Sequence, residues 1–200
     1  MDEFESVSVH LFDGSDANFM KLYGTDNGRS VNFMTTYKKL VAFGTHPGAV
    51  CNWIKQQIGP NKIHILRIVA HGDSGAFFLG QVYQKNSFID WQPLKGCFDP
   101  AARVEIHSCA VASDVALHSN MLQPGKTLKR GTFSGNSNGQ GVQFMHALAK
   151  AVNAKVIAST DDAFVNSSRW SLSKTGINNS VTVLPDGTIQ TQAFNPMVPD

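Results

Sequence analysis

The alternation of strand-like and helix-like segments in the second half of the chain most constrains the fold. A β-rich run at Ala102–Ser108 precedes a segment with helical spacing, in which Val142, Met145 and Leu148 lie on one side. The strand-like stretch "AKVIAST" follows that helix without interruption. A strand, a helix and a second strand in this order form a right-handed crossover between parallel strands. We therefore predict an α/β protein with a mostly parallel sheet.

The first half of the chain adds two strands and a helix to this prediction. Ser6–Phe12 alternates polar and apolar residues, and Lys62–Ala70 is an apolar run of strand length. The segment from Pro47 to Gly59 begins with a proline that suits a helix start and stops at a glycine, which predicts a helix. Val31–Phe43 is compatible with either a strand or a helix.

Two hairpins are also predicted. The stretch "AFFLGQVYQ" is typical of a small hairpin that follows the strand Lys62–Ala70. The Asp186-Gly187 pair is a strong turn signal and predicts an antiparallel hairpin within residues 168–192, which closes the fold.

Size and composition indicate a single globular domain over residues 1–200. With 42% hydrophobic and 16% charged residues, the composition is neither disordered nor fibrous. A net charge of +2, without a dense basic block, gives no reason to expect nucleic acid as a partner. No stretch is long and apolar enough to span a membrane, and the acidic start "MDEFESVSVH" is unlike a Sec signal peptide.

The three cysteines, Cys51, Cys97 and Cys109, are widely spaced and contain no CxxC pair. They therefore predict neither a disulfide framework nor a zinc site, and the histidines show no metal-ligand spacing. We expect no metal and no cofactor. A cytoplasmic location, or export by a route that needs no Sec signal, fits this pattern best.

Two apolar runs end on reactive side chains. Lys62–Ala70 stops at His71, and Ala102–Ser108 stops at Cys109. Because the carboxyl ends of parallel strands meet at one edge of a sheet, we expect the imidazole and the thiol to face each other there. A thiolate is a nucleophile, and a nearby imidazole exchanges its proton with the leaving group. The amides of Gly72 and Cys109 are candidates for the oxyanion hole, since Gly72 has no Cβ to obstruct its N–H.

These motifs resemble the clan CD cysteine peptidases, which include caspases, metacaspases and self-cleaving toxin domains. The shared signature is an apolar block before His-Gly and a second apolar block before a small residue and Cys. A closer resemblance is to a caspase-like domain of unknown function in large bacterial surface proteins, and it spans about Ile63 to Asp162. The matching segments are "ILRIVA-HG", "HGDSG", "FFLG", "VEIH-SC", "SCAVAS", "GVQFMHALAKAVNAKV" and "IASTDD".

The resemblance implies a caspase-like three-layer sandwich, a mostly parallel sheet flanked by helices. It also implies His71 as general acid/base, Cys109 as nucleophile, and the amides of Gly72 and Cys109 as oxyanion hole. Arg/Lys-specific relatives carry an acidic residue two positions before the cysteine, where this chain has His107. His107 is therefore a candidate for lining the substrate pocket, and Asp161 and Asp162 are candidates for restoring a negative charge, so the side chain preferred before the cleaved bond stays open.

His107 also competes with His71 as the base. Side chains two residues apart on a strand share a face but lie about 6.5 Å apart, which is long for direct proton exchange, so we favour His71. An ordinary strand histidine is the third interpretation of His107.

Three functions are compatible with these residues. The first is a cysteine endopeptidase that forms a thioester, acts on a protein or peptide, and resembles a toxin or effector. Its long loop from Ser113 to Gly141 is then a site of regulation by a partner or of self-cleavage at Lys126, Lys129 or Arg130. The second is acyl transfer to an amine by the same Cys/His pair. The third is a catalytically inactive caspase-like module that binds a partner.

Overall fold

A computed structural model describes residues 4–26, 34–113, 140–160 and 180–191 of the chain. The helices are Ala17–Thr25 (α1), Pro47–Ile58 (α2) and Gln140–Val152 (α3), with a 3-10 helix at Lys85–Leu94. The strands are Ser6–Asp13 (β1), Thr35–Val41 (β2), Lys62–Val69 (β3), His71–Asp73 (β4), Ala76–Phe78 (β5), Val82–Tyr83 (β6), Phe98–His107 (β7), Lys155–Ser159 (β8), Ser180–Val183 (β9) and Ile189–Thr191 (β10).

The central sheet is mostly parallel, as predicted. Its strand order is β10-β9-β8-β7-β3-β1-β2, and the pairs from β8 through β2 are parallel. Strands β9 and β10 pair antiparallel and confirm the C-terminal hairpin, with Gly187 at φ +90° in its turn. Residues 168–179 and 192 of the predicted hairpin range lie outside the described residues. Strands β4, β5 and β6 form a separate antiparallel sheet.

Helices pack on both faces of the central sheet. Helix α1 covers one face, where Phe19 and Leu22 pack with Phe12 of β1 and Val69 of β3. The opposite face carries the larger core, which includes apolar residues of α2, α3 and the 3-10 helix. The fold is therefore α/β with a mixed, mostly parallel sheet between helices.

Three elements differ from the sequence prediction or complete it. Val31–Phe43, which the sequence leaves open between strand and helix, contains β2, and β2 lies at the edge of the sheet beside β1. Helix α1 was not predicted because its nine residues give a short periodic signal, and a capping aspartate defines its start. The 3-10 helix, Lys85–Leu94, lies in the connection between the small hairpin and β7, for which the sequence predicts no regular element. Within the described ranges, no helix is long and apolar enough to cross a membrane.

The strand order reverses between β1 and β3. From β1 the chain moves outward to β2, and it then returns to place β3 on the other side of β1. Ligands of open α/β sheets bind in the crevice beyond the carboxyl ends of the strands at such a point, because the connections leave on opposite faces there. The residues that follow β1 and β3 therefore flank the crevice where this rule places a ligand, and β7 lies next to it.

Candidate active site

His71 and Cys109 follow two neighbouring strands in matching register. Each β3 residue from Ile65 to Val69 pairs with the β7 residue 38 positions later. His71 and Cys109 are separated by the same 38 residues, each two positions beyond the last pair of this register, Val69 and His107. The strand ends stay joined past the sheet, since Ser108 Oγ donates a hydrogen bond to the carbonyl of Ala70 at 2.7 Å. The structure thus brings the two chain segments together at one edge.

Gly72 lies against the turn that carries Cys109. A Cβ built at Gly72 would lie 2.7 Å from Ser108 Cβ, 2.8 Å from Val111 Cγ2 and 3.0 Å from the carbonyl oxygen of Cys109. From the sequence, the predicted role of Gly72 is to leave its amide unobstructed for the oxyanion hole. The structure adds a packing reason, because any side chain at this position would push the two segments apart.

Three backbone hydrogen bonds join the turn from Ser108 to Ser113 to three neighbouring segments. The amide of Ala112 donates to the carbonyl of Ser159 at the end of β8, at 2.9 Å. The amide of Gly75 donates to the carbonyl of Val111 at 3.1 Å, and the amide of Gly141 at the start of α3 donates to the carbonyl of Ser113, also at 3.1 Å. Cys109 is half-buried on this turn.

The residue after Cys109 has an uncommon backbone conformation. Ala110 has φ +48°, in the left-handed region that residues with a Cβ rarely adopt, and it is fully buried. Such a conformation persists only where the surroundings impose it, and it is concentrated at functional sites. Here it turns the chain sharply beyond β7 and leaves Cys109 at the corner.

Asp16 contacts His71 in the candidate site and is a residue that the sequence did not indicate as part of that site. Its Oδ2 lies 3.0 Å from Nε2 of His71, across the β1/β3 crevice. Its Oδ1 caps α1 by accepting hydrogen bonds from the amides of Asn18 and Phe19. The sequence did carry a signal for it, because an aspartate after a strand and a turn is a typical helix N-cap. No sequence pattern links it to a histidine 55 residues away.

Hydrogen bonding keeps Asp16 ionised. Partial burial raises the pKa of its carboxyl, but the hydrogen bonds from His71 and from the amides of Asn18 and Phe19 outweigh it, so the pKa lies below its ordinary value. An ionised carboxylate accepts a hydrogen bond from Nε2–H, which makes the other ring nitrogen, Nδ1, the candidate for proton exchange. Phe19 lies against the ring with 4.8 Å between ring centroids and restricts its rotation further.

His107 lies in a buried ion cluster. Its Nε2 donates to Glu105 Oε2 at 3.1 Å, and the same carboxylate accepts hydrogen bonds from Arg67 and Arg103 at 2.6 and 2.8 Å. Burial lowers the pKa of His107 despite the opposing effect of Glu105. Burial raises the pKa of Glu105, but the charge of Arg67, the hydrogen bond from His107 and the charge of Arg103 hold it well below its usual range. With 1% of its side chain exposed, His107 does not line an open pocket, which favours its interpretation as a strand histidine over the pocket-lining one.

The structure does not describe most of the remaining candidate residues. Asp161 and Asp162, together with Lys126, Lys129, Arg130 and most of the loop from Ser113 to Gly141, lie outside the described residues. Burial raises the pKa of Cys51 to about 12, so this thiol is protonated and unreactive at neutral pH. No group of three or more His, Cys, Asp or Glu side chains within the described ranges is arranged to hold a metal ion.

Comparison with known proteins assigns no family: no protein-family model matches the chain, and no curated protein matches it. The geometry of the site therefore supplies the argument for function.

Proposed function

We propose that this chain is a caspase-like cysteine endopeptidase with Cys109 as nucleophile and His71 as general acid/base. The observation that carries the proposal is the register of β3 and β7, which pairs residues 38 positions apart up to Val69 and His107. His71 and Cys109, also 38 residues apart, each follow two positions beyond that last pair. The two apolar blocks that end in His-Gly and Ser-Cys support the same assignment. A half-buried cysteine, a largely exposed imidazole and an ionised carboxylate beside that imidazole are compatible with a Cys/His hydrolase.

The proposed reaction proceeds in two steps. The Cys109 thiolate attacks the peptide carbonyl carbon and forms a C–S bond, while the protonated His71 ring gives its proton to the amine as the C–N bond breaks. Water then attacks the thioester and gives a proton to His71. The C–S bond breaks, which releases the acid and regenerates the thiolate and the protonated ring. Backbone amides at Gly72 and Cys109 are the candidates to stabilise the oxyanion in both steps.

Labelling of the thiols tests the proposal. We expect a fluorescent peptide acyloxymethyl ketone to alkylate Cys109, located by mass spectrometry of the intact protein and its fragments. His71→Ala should abolish this labelling, while Cys97→Ala should leave it at the parent rate. Equal labelling of Cys109 in the parent protein and in folded His71→Ala would contradict the assignment. Cleavage of a peptide mixture in the presence of a free amine then separates hydrolysis from acyl transfer.

Asp16 is proposed as the positioning residue for His71. Asparagine caps helices as well as aspartate does, so Asp16→Asn should unfold at the parent temperature. Without the carboxylate, the Cys109 alkylation rate should fall by at least about tenfold, which corresponds to about 1.4 kcal/mol. Asp16→Ala should lose both the cap and the reactivity. Labelling of Asp16→Asn at the parent rate would remove Asp16 from the site.

A further inference from the structure

The small sheet of β4, β5 and β6 has two unlike faces. His71, Phe78 and Val82 are directly opposite one another across the three strands, so their side chains share one face. The neighbouring row of Gly72, Phe77 and Tyr83 points to the other face, where Phe77 and Tyr83 are buried. The row of His71, Phe78 and Val82 is the outer row and faces solvent. The His71 side chain is 61% exposed, Val82 is 55% exposed, and Phe78 is half-buried.

Phe43 extends this outer row. Its ring stacks on Phe78 with 6.3 Å between centroids and 28° between planes, and the residue is 80% exposed. The backbone holds it there, because the amide of Gly44 donates to the carbonyl of Gly80 at 2.8 Å. The two segments are in such close contact that a Cβ at Gly80 would lie 2.5 Å from the carbonyl oxygen of Ala42. These backbone contacts therefore place Phe43 beside the hairpin.

This clustering has no explanation in the packing of the described residues. Phe43 and Val82 are two of the large hydrophobic side chains exposed in the described ranges, and they come from different parts of the chain. Both lie in the row that begins at His71. We name Phe43, Phe78 and Val82 the apolar strip.

The chemistry of His71 determines which part of a substrate would reach the strip. An imidazole that protonates the departing amine lies on the leaving-group side of the cleaved bond. Surface that continues from this imidazole therefore faces the residues that follow the cleaved bond. A strip with two aromatic rings and a valine favours an apolar side chain there.

We propose that the apolar strip is a substrate subsite that binds an aromatic or large aliphatic side chain at one of the first two positions after the cleaved bond. This inference rests on the proposed peptidase function, and it deepens that function by naming a substrate class and the residues that select it. Specificity then depends on both sides of the cleaved bond.

Cleavage of a peptide library by the full chain tests the inference. Mass spectrometry of the products gives residue preferences on both sides of the cleaved bond. We expect Phe, Leu and Trp to be enriched after the bond, and Phe43→Ser to lower that enrichment by about fivefold while preferences before the bond stay unchanged. Ile89→Ser is the matched control, because Ile89 is 68% exposed on the 3-10 helix, away from this row. Thermal melting checks that both variants fold.

Three other results would overturn the subsite, and each of them points to a different explanation. Cleavage with the same enrichment in Phe43→Ser would leave the peptidase assignment standing and remove the subsite. Absence of cleavage by the parent protein, together with absence of His71-dependent labelling of Cys109, would overturn the peptidase function and the subsite together. Sedimentation that shows a parent dimer broken by Phe43→Ser and kept by Ile89→Ser would assign the strip to contact between two copies of the chain.

Discussion

At the scale of single residues, the site depends on small side chains as much as on reactive ones. His71 and Cys109 carry the reactive groups of the candidate site, but Gly72 allows their segments to approach, and Ala110 turns the chain after Cys109. The sequence predicted three of these four positions as site residues. It did not predict Ala110, because alanine carries no signal for a left-handed conformation.

Gly72→Ala tests the packing at the site. We expect a loss of about 1–3 kcal/mol in the free energy of unfolding, because the added methyl group meets Ser108 and Val111 at distances that require the turn to shift. Urea denaturation measures this loss, and Cys109 labelling should decrease with it. Gly24→Ala is the control, since a Cβ there meets nothing within 4 Å and a helix prefers alanine. Equal stability of Gly72→Ala and the parent protein would refute the close-packing account.

At the scale of elements, an aromatic cluster anchors the small sheet to the helices. Phe77 stacks on Tyr83 with 4.9 Å between centroids and meets Phe144 of α3 edge-on at 5.6 Å. Phe88 and Trp91 of the 3-10 helix pack with the same rings. The outer face of the small sheet can stay exposed because the inner face supplies the packing energy.

Phe77→Ala should therefore destabilise the protein by about 3–5 kcal/mol, as expected for a buried ring that leaves a cavity. The exposed Val82→Ala, one strand away, should change the free energy of unfolding by less than about 0.5 kcal/mol. Chemical denaturation of both variants measures the difference. Similar effects of the two substitutions would show that the small sheet is not anchored through its inner face.

At the scale of the whole molecule, one face of the central sheet buries ionisable groups. Nε2 of His10 lies 2.8 Å from Ser8 Oγ, and Nδ1 lies 2.6 Å from Asp26 Oδ2. Arg67 pairs with His10 on the neighbouring strand β3 and donates a hydrogen bond to Glu105 of the buried ion cluster. Burial lowers the pKa of His10, and the hydrogen bond with Asp26 opposes this only in part. His10 and His107 are therefore favoured in their neutral forms in the folded state.

Stability should fall with decreasing pH. Histidines of the unfolded chain take up protons near pH 6.5, while His10 and His107 resist protonation in the fold, so their contribution is present above that pH and is lost below it. Glu105 extends the loss to lower pH, because its folded pKa is depressed and its contribution disappears as the carboxyl group is protonated. Each proton taken up on unfolding adds a slope of about 1.4 kcal/mol per pH unit.

Urea denaturation at pH values from 7.5 to 5 measures this slope. His107→Gln should reduce it, because the amide keeps a hydrogen-bond donor for Glu105 but does not titrate. A free energy of unfolding that does not change between pH 7.5 and 5.5 would contradict the pKa directions of His10 and His107.

The sequence by itself determined the α/β class, the helices α2 and α3, most strands of the central sheet and the C-terminal hairpin. It also placed His71 and Cys109 at strand ends. These features follow from local periodicity, capping and turn chemistry, which act between residues close in the chain. The 38-residue separation of His71 and Cys109 was visible in the sequence, but its match to the β3–β7 register was not.

Only the tertiary structure decided which residues surround the imidazole. Asp16 reaches His71 because β1 and β3 pair across the point where the strand order reverses, and Phe43 reaches Phe78 because the loop after β2 binds the hairpin at Gly80. The burial of His107 likewise depends on Glu105 and on Arg67 of the neighbouring strand. Such contacts join residues far apart in the chain, and local propensity carries no information about them, because strand order and register determine which side chains meet.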